Sequence, residues 1–504
     1  MKALTFNRLV VALTFLAIFA MAARVAADTD TWWHLRTGQW IVAHGAIPQT
    51  DPFSHTRAGA DWRIPGWIVQ VPLYWLFANF GYAGLNVFTA ALVTLTFALV
   101  YPACSGPPLL RAFALVLAAT VSGIYWSARP QLASLVLAAA FALILYRWRR
   151  PRSPAELAGG AGSALTLSRQ ERELWLLPPL MALWANAHGG FAIGFILLAL
   201  TFAGEALKFG WAWWSSRNTQ YALRPSPRPL LYLLGISLLC ALAVALNPAG
   251  PERLWYPFKT VGIGALREFI QEWQSPNFHA LEQQVFLWLL LATFAVVALS
   301  RRPVDVTDLV LVCGVAYLGF LAGRNVPLLA VVAPPLLTRH AAGLLAPSSD
   351  DRPAFAGNAL LNWVLLVVLA LAAMLKVFTV LPTSANERAI AKVSPVGAAE
   401  FIRRERPPGP MFNSYNFGGY LMWALYPEYP VFVDGRTDLY DDAFLREYLR
   451  VALGRPGYEA MLDRYGVRLV VIEADSLLGD RLSENPRWRE LYRDDVAAVY
   501  GRNP

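Results

Sequence analysis

Two carboxylates and an imidazole stand close together where the first apolar segment of the chain ends. Asp28 and Asp30 are separated by a single threonine, and His34 follows shortly after them. A carboxylate within hydrogen-bonding distance of a hydroxyl group can take its proton as a general base. The same three side chains offer oxygen and nitrogen ligands for a divalent cation such as Mg²⁺ or Mn²⁺. A third interpretation also stays open, in which one aspartate caps the helix that follows.

Further side chains that can bind a polar or charged substrate lie between the apolar segments of the chain. They are Asp51, His55, Arg129, His188, Glu272 and Arg324. Arginine forms forked hydrogen bonds to phosphate oxygens, so Arg129 and Arg324 are candidates for binding a phosphate group. Five of these six positions also have a structural interpretation: a turn for Asp51, a helix break for His188, a helix end for Glu272, and contacts with lipid headgroups for the two arginines.

The composition is that of a polytopic membrane protein. Of the 504 residues, 56% are hydrophobic and only 15% are charged, which is too little charge for a soluble enzyme of this length. The net charge of +9 does not indicate nucleic-acid binding, because in a membrane protein an excess of Lys and Arg more often lies in cytoplasmic loops. The three cysteines show no metal-binding spacing and no evident disulfide partner.

Eleven segments are predicted as membrane spans, because a span needs roughly 17 to 25 apolar residues. The stretch 66–79 is shorter, contains Pro72 and is rich in Trp and Tyr, so we predict a helix that lies at the membrane interface. A cleaved signal peptide is the alternative interpretation of the first segment. The predicted spans are 8–27, 84–103, 109–126, 129–147, 174–187, 189–209, 230–246, 283–300, 306–323, 326–345 and 358–381.

The loop charges predict the orientation of these spans. With the N-terminus in the cytoplasm, the basic stretch 147–152 and most other Lys and Arg residues fall inside, as the positive-inside rule requires. The loops 151–173 and 346–357 are then cytoplasmic and flexible. The same orientation places the loop 28–65 and the polar residues named above on the outer face, which indicates one outward-facing site.

After the last apolar segment, residues 383–504 become charged and have the pattern of a small α/β domain. The two polar loops 413–420 and 433–438 follow predicted strands and either contact a ligand or, for Asp434, Arg436 and Asp438, form an Asp–Arg network that closes a turn. Helices are predicted at 394–402 and 458–465, and strands at 409–413, 429–433, 467–472 and 496–500. The rest of the chain, 1–382, is a transmembrane module whose first outer loop spans 28–83.

Together these features resemble the C-type (GT-C) glycosyltransferase superfamily, in particular bacterial enzymes similar to protein mannosyltransferases and lipid A aminoarabinose transferases. The resemblance rests on the sequences DTDTWWHLRTGQWI (28–41) and HGAIPQTDPFSHT (44–56) and on the interfacial stretch 67–79. It implies an α-helical polytopic membrane protein with a C-terminal α/β domain outside the cytoplasm. It also implies an enzyme of the bacterial plasma (inner) membrane that moves a sugar from a polyprenyl-phosphate-linked donor to an acceptor of unknown class.

The resemblance further implies roles for residues. The acidic residue of the first outer loop is the proposed base, a role that falls on Asp30 or Asp28, with Asp30 favoured. An arginine or a divalent metal would stabilise the departing phosphate. A transporter or flippase stays open because of the helix break at His188, although nearly uncharged span centres speak against it. A non-catalytic envelope-assembly protein is the third possibility, and for it both aspartates would be dispensable.

Overall fold

The computed structural model describes residues 4–150, 169–217, 225–345 and 359–504. The predicted cytoplasmic loop 346–357 and most of the loop 151–173 lie outside the described residues. Residues 169–173 were also predicted as loop, but they belong to a short helix, because this charged stretch consists of strong helix formers.

In the described part of the first 380 residues, the regular elements are helices joined by loops. Each predicted span coincides with one helix or, for the second, with the later part of a long one. The helices are Phe6–Ala22 (α1), Thr31–His44 (α2), Trp67–Val100 (α3), Pro108–Ser122 (α4), Gln131–Arg149 (α5), Arg169–Leu174 (α6), Leu177–Ala187 (α7), Ala192–Ser216 (α8), Arg228–Val244 (α9), Tyr256–Val261 (α10), Gly264–Phe269 (α11), Leu281–Leu299 (α12), Val306–Leu321 (α13), Val326–Leu344 (α14) and Ala359–Val380 (α15).

The helices have the length and composition of a multi-pass membrane protein. Six of those described are long and apolar enough to cross a membrane, and three shorter helices are also apolar. The count of eleven spans stays a prediction. The helices pack closely: α14 lies against α4, and α8 lies against α13. Ala118 of α4 and Ala330 of α14 are fully buried, and such small residues allow helices in a membrane to approach each other closely.

Helix α3 contains the stretch predicted as an interfacial helix. The helix is interrupted at Gly81, whose φ of 56° and ψ of −145° are not helical. A glycine adopts this positive φ without the steric cost that a side chain would add. The interruption separates the Trp-rich and Tyr-rich residues 67–80 from the apolar run that follows, as the sequence predicts. The position of residues 67–80 at the membrane surface stays a prediction.

The C-terminal part contains a four-stranded sheet with helices around it. The strand order is β1-β2-β4-β3, in which β1 pairs with β2 in parallel and the other pairs are antiparallel. The strands are Met411–Asn413 (β1), Leu469–Glu473 (β2), Trp488–Arg493 (β3) and Ala497–Arg502 (β4). The helices are Thr383–Ile390 (α16), Val396–Glu405 (α17), Tyr415–Leu425 (α18), Asp442–Ala452 (α19), Tyr458–Arg464 (α20) and Leu477–Glu484 (α21).

Two predictions for this part are wrong. The segment 429–433 is not a strand of the sheet, because its backbone pairs with the first loop instead: Val431 forms an isolated bridge with Ser54 and hydrogen bonds with Phe53 and His55. The segment 413–420, predicted as a loop, leads directly into α18. The predicted helices at 394–402 and 458–465 and the strands at 409–413, 467–472 and 496–500 are present within a few residues.

The C-terminal part packs tightly on the first loop. Trp33, Phe53 and Trp62 from the loop region share one buried apolar cluster with Phe417 and Val499. Burying such large apolar side chains stabilises the contact by about 1.5–3 kcal/mol for each side chain. The packing holds α2, which follows the acidic motif, between the membrane helices and the sheet.

Candidate functional site

A cavity of about 370 Å³ lies between the helical part and the C-terminal part. Six of the nine predicted site residues line it, although they come from five separate regions of the sequence. These six are Asp30, His34, Arg129, His188, Glu272 and Arg324. The convergence of polar residues predicted from the loop topology is therefore present in the structure.

The local backbone explains how the acidic motif reaches this cavity. The carboxylate of Asp28 accepts the backbone N–H of Asp30 at 2.9 Å, which closes a tight turn before α2. Asp30 occupies the position that precedes α2, but its side chain makes no capping hydrogen bond to the helix. The Asp30 carboxylate is thus free of the capping role and points to the cavity.

Arg129 holds three carboxylates together. Its guanidinium nitrogens lie 2.7 Å from Asp30 Oδ2, 2.6 Å from Glu272 Oε1 and 3.5 Å from Asp28 Oδ2. The Arg129 side chain is only 9% exposed, so these charges interact in a partly desolvated environment. Three carboxylates around a single guanidinium leave the cluster with an excess of negative charge. Arg129 consequently has no free face for the phosphate that the sequence assigned to it.

The cluster shifts the pKa values of Asp30 and Glu272 in opposite directions. Burial raises the pKa of Asp30 to about 6, against the opposing effect of the Arg129 charge, and the nearby negative charges of Asp28 and Glu272 raise it further. Burial acts in the same direction on Glu272, but the charge and hydrogen bond of Arg129 outweigh it, so the pKa of Glu272 is lowered. Between Asp30 and Glu272 a proton therefore goes to Asp30, and Asp30 is a stronger base than an ordinary aspartate.

Arg324 lies in the turn Gly323–Asn325 that connects α13 to α14. Its guanidinium stacks on Trp273, 4.3 Å from the ring centre. Across the described parts of the chain, no carboxylate lies within ion-pairing distance of this guanidinium. A stacked cation that lines a cavity without a carboxylate partner is suited to bind an anion such as phosphate.

Two histidines face the same cavity in a neutral state. His34 Nδ1 lies 2.9 Å from the side-chain amide of Gln70, and His188 Nδ1 lies 2.8 Å from Ser134 Oγ. Burial lowers the pKa of both imidazoles, and the positive charge of Arg129 lowers both further. Neutral imidazoles can donate and accept hydrogen bonds without adding charge to the cavity.

Asp51 and His55 do not line the cavity, which corrects the predicted contact with substrate. Asp51 is buried, accepts the backbone N–H of Phe53 at 3.0 Å and pairs with Arg436 at 2.5 Å. His55 donates from Nε2 to the carbonyl oxygen of Met411 at 2.9 Å. Both side chains are occupied in joining the first loop to the C-terminal part.

The predicted Asp28–Asp30–His34 metal site is not assembled. Both aspartates contact Arg129, whereas His34 bonds to Gln70. Within the described residues, no group of three His, Cys, Asp or Glu side chains is arranged to hold a metal ion. The cation at the centre of the carboxylates is a guanidinium, which occupies the place that a metal ion would need.

Sequence reasoning missed several residues that line the cavity. Gln70 and Ser134 carried a usable signal, because each is a polar residue inside an otherwise apolar helix. Tyr415 and Thr437 carried no such signal, since they reach the cavity only through the packing of the C-terminal part. For Asp438 the sequence left open a ligand contact or an Asp–Arg network; Asp438 lines the cavity, and burial raises its pKa. The network itself forms between Asp434 and Arg436.

Comparisons with known proteins agree with the fold. No protein-family model matches the sequence, and no curated protein matches it. The structure of ArnT from Cupriavidus metallidurans bound to undecaprenyl phosphate is similar, with a TM-score of 0.51 and 14% identity over 98% of this chain and 97% of that one. An Archaeoglobus fulgidus oligosaccharyltransferase tethered with an acceptor peptide gives a TM-score of 0.53 and 14% identity over 94% of this chain and 70% of that one.

A third similar structure is archaeal oligosaccharyltransferase AglB from Archaeoglobus fulgidus in complex with an inhibitory peptide and a dolichol-phosphate. Its TM-score is 0.50, with 13% identity over 93% of this chain and 69% of that one. At these identities the similarity establishes the fold. The fold predicted from the resemblance to C-type glycosyltransferases is therefore confirmed.

Proposed function

We propose that this protein is a membrane glycosyltransferase that moves a sugar from a polyprenyl-phosphate-linked donor to an acceptor on the extracytoplasmic face. One observation carries the proposal: a single cavity holds Asp30, a carboxylate with a raised pKa, and Arg324, a guanidinium that pairs with no carboxylate among the described residues. Glycosyl transfer from a lipid phosphate needs both a base for the acceptor and a cation for the leaving group.

The transfer assigns one task to each of these residues. An acceptor hydroxyl oxygen attacks the sugar carbon C1 while the bond between C1 and the phosphate oxygen breaks. Asp30 takes the proton of the hydroxyl group, and the lipid phosphate leaves with the electron pair of the broken bond. Arg324 stabilises the negative charge that develops on the phosphate. Atoms and charge balance without a further reactant.

Arg129 and Asp28 position Asp30 for its proposed role. The ion pair to Arg129 at 2.7 Å fixes the direction of the Asp30 carboxylate, and Asp28 fixes its backbone. The second carboxylate at Arg129, Glu272, stays ionised because its pKa is lowered. We therefore assign the phosphate to Arg324 and a positioning role to Arg129.

The residues of this site do not fit a divalent cation such as Mg²⁺ or Mn²⁺. Asp28, Asp30 and Glu272 already converge on a guanidinium, and His34 is turned to Gln70. The charge of the departing phosphate is accordingly balanced by an arginine in this proposal, and no step passes through a metal ion.

The similar structures support the class of donor. The ArnT structure is bound to undecaprenyl phosphate and the AglB structure to a dolichol-phosphate, and both are polyprenyl phosphates. The pattern of basic loops supports the orientation with a cytoplasmic N-terminus and a site facing away from the cytoplasm. The resemblance of the first loop to bacterial C-type glycosyltransferases supports the plasma membrane of a bacterium as its location.

A transfer assay tests the proposal. Purified protein in lipid nanodiscs is given a panel of undecaprenyl-phosphate-linked sugars with a bacterial membrane extract as the source of acceptors. Mass spectrometry then measures the undecaprenyl phosphate released. We expect release from at least one donor, and a loss of about 100-fold or more in Asp30→Asn, the range of general-base catalysis.

Two variants complete the assay. Asp61→Asn is the matched control, because Asp61 is exposed and its ion pair, with Arg63, lies outside the cavity lining. Arg324→Met should lower both kcat and kcat/KM for the donor, since it removes the charge that stabilises the leaving phosphate but keeps much of the side-chain volume. Full release by both Asp28→Asn and Asp30→Asn would contradict the base assignment. No release from any donor would contradict the proposed class of reaction.

A further inference from the structure

The ring of His188 is held by two helices and a turn. His188 follows α7, and its Nδ1 accepts the backbone N–H of Gly190 at 3.0 Å. A backbone N–H can only donate, so Nδ1 must present its lone pair and cannot carry a proton. This single bond excludes both the tautomer with a proton on Nδ1 and the imidazolium form.

A second contact reinforces this tautomer. Trp184 of α7 is fully buried, and its indole N–H donates to Ser134 Oγ of α5 at 2.7 Å. The indole nitrogen is only a donor, so Ser134 uses a lone pair for this bond and keeps its own proton free. That proton points to His188 Nδ1, 2.8 Å from Oγ, and shares the single Nδ1 lone pair with the Gly190 N–H in a three-centre hydrogen bond. Trp184 and Ser134 thus form a relay that fixes the orientation of the ring.

The opposite ring nitrogen consequently carries the proton. A neutral imidazole has one N–H, and with Nδ1 occupied it lies on Nε2. Throughout the described chain, Nε2 has no hydrogen-bond partner, and His188 lines the cavity. Burial, followed by the positive charges of Arg324 and Arg129, lowers the pKa of His188 to about 3, and Arg324 lines the same cavity as His188.

We propose that His188 is a fixed neutral hydrogen-bond donor that binds an anionic oxygen of the donor phosphate through Nε2–H, next to Arg324. The proposal rests on the proposed function, because it deepens the phosphate site of that reaction. Ser134 and Trp184 are positioning residues in this arrangement. Because Nε2 is protonated, His188 serves neither as a base at this nitrogen nor as a metal ligand.

The geometry next to His188 supports this use. Gly189 packs so closely on Tyr256 that a Cβ atom there would lie 2.4 Å from the Tyr256 ring. A side chain on Gly190 would meet the His188 ring itself at 2.8 Å. Both glycines therefore allow the close approach that places the ring at the wall of the cavity.

Binding of undecaprenyl phosphate without a sugar tests the proposal. The affinity is measured for the wild type, His188→Ala and His188→Gln in detergent micelles. We expect His188→Ala to bind about tenfold more weakly or worse, the loss of one hydrogen bond to a charged group. The amide nitrogen of the glutamine can take the place of Nε2, so His188→Gln should retain most of the affinity. His279→Gln is the control, because His279 is exposed and lies outside the cavity lining.

Nitrogen NMR of protein with ¹⁵N-labelled histidine tests the tautomer directly. The signals of His188 are those lost in His188→Gln, and we expect the neutral form with the proton on Nε2 in mildly acidic buffer. Ser134→Ala should weaken this preference. An imidazolium, a proton on Nδ1, or unchanged binding by His188→Ala would overturn the proposal.

The two proposals fail in different ways. If undecaprenyl phosphate binds with the expected dependence on His188 but no sugar is transferred, the phosphate site stands and the proposed reaction falls. If transfer occurs and His188→Ala binds undecaprenyl phosphate like the wild type, only the role of His188 falls.

Discussion

At the scale of single residues, the cavity separates Asp30, the proposed base, from Arg324, the arginine proposed to bind the phosphate. Sequence reasoning treated Arg129 and Arg324 as equivalent, because both are arginines at the outer ends of helices. The structure distinguishes them by their partners: Arg129 is shared by three carboxylates, whereas Arg324 stacks on Trp273 and faces the cavity. Two of the carboxylates that occupy Arg129, Asp30 and Glu272, lie 99 and 143 residues away in sequence, so distant charge partners leave Arg324 as the arginine suited to a phosphate.

The raised pKa of Asp30 predicts how transfer depends on pH. Below a pKa of about 6 the carboxyl group is protonated and cannot accept the proton of the acceptor, so the rate should fall as the pH drops through this value. Asp28→Asn removes a negative charge that raises the pKa of Asp30, so the fall should move to lower pH. The measurement is kcat across the acidic range for the wild type and Asp28→Asn. An identical pH profile for both proteins would contradict this coupling.

The limits of sequence reasoning at this scale have a physical cause. Polar residues between apolar segments must lie at the membrane surface, and this restriction was sufficient to find six residues of the cavity. Asp51 and His55 satisfied the same restriction, but the C-terminal part binds them through Arg436 and Met411. Nothing near Asp51 in the sequence shows that its carboxylate forms an ion pair with a buried arginine 385 residues away.

At the scale of elements, the turn between α7 and α8 places His188. Gly189→Ala should displace either Tyr256 or the turn, because the added Cβ atom would lie 2.4 Å from the tyrosine ring. We expect the affinity for undecaprenyl phosphate to fall about tenfold, since small misplacements of binding groups are costly. Gly235→Ala in α9 is the matched control, because a Cβ atom there meets nothing within 4 Å. Equal affinities of the two variants would show that the turn does not position the ring.

The helices that were predicted correctly are defined by the local sequence, whereas the strands that were predicted wrongly or missed depend on distant partners. Apolar runs define the membrane helices locally, and all eleven coincide with helices. Strand β3 was missed because it lies at the edge of the sheet and exposes Arg489 and Glu490, so its pattern is polar. The segment 429–433 has the apolar composition of a strand, yet its partner is the first loop and not the sheet. Composition indicates an extended buried segment but does not choose its partner.

At the scale of the whole molecule, one buried arginine, Arg436, joins the first loop to the C-terminal part. Arg436 is fully buried between Asp51 of the first loop and Asp434 of its own segment, and it stacks on Trp62 at 4.5 Å. The residue directly before Arg436 also contacts the site. Gly435 lies so close to the Asp30 carboxylate that a Cβ atom would clash with it. The same packing that stabilises the C-terminal part on the first loop therefore also positions the proposed base.

Arg436→Met tests this connection. The substitution leaves two buried carboxylates without their cation, which should lower the free energy of unfolding by about 3–5 kcal/mol. Arg464→Met is the matched control, since Arg464 forms an exposed ion pair with Glu447 that contributes less than about 1 kcal/mol. Thermal unfolding in detergent measures both variants, and the transfer assay at low temperature measures the residual activity. We expect Arg436→Met to lose stability and transfer together, whereas a variant as stable and active as Arg464→Met would separate the C-terminal part from the site.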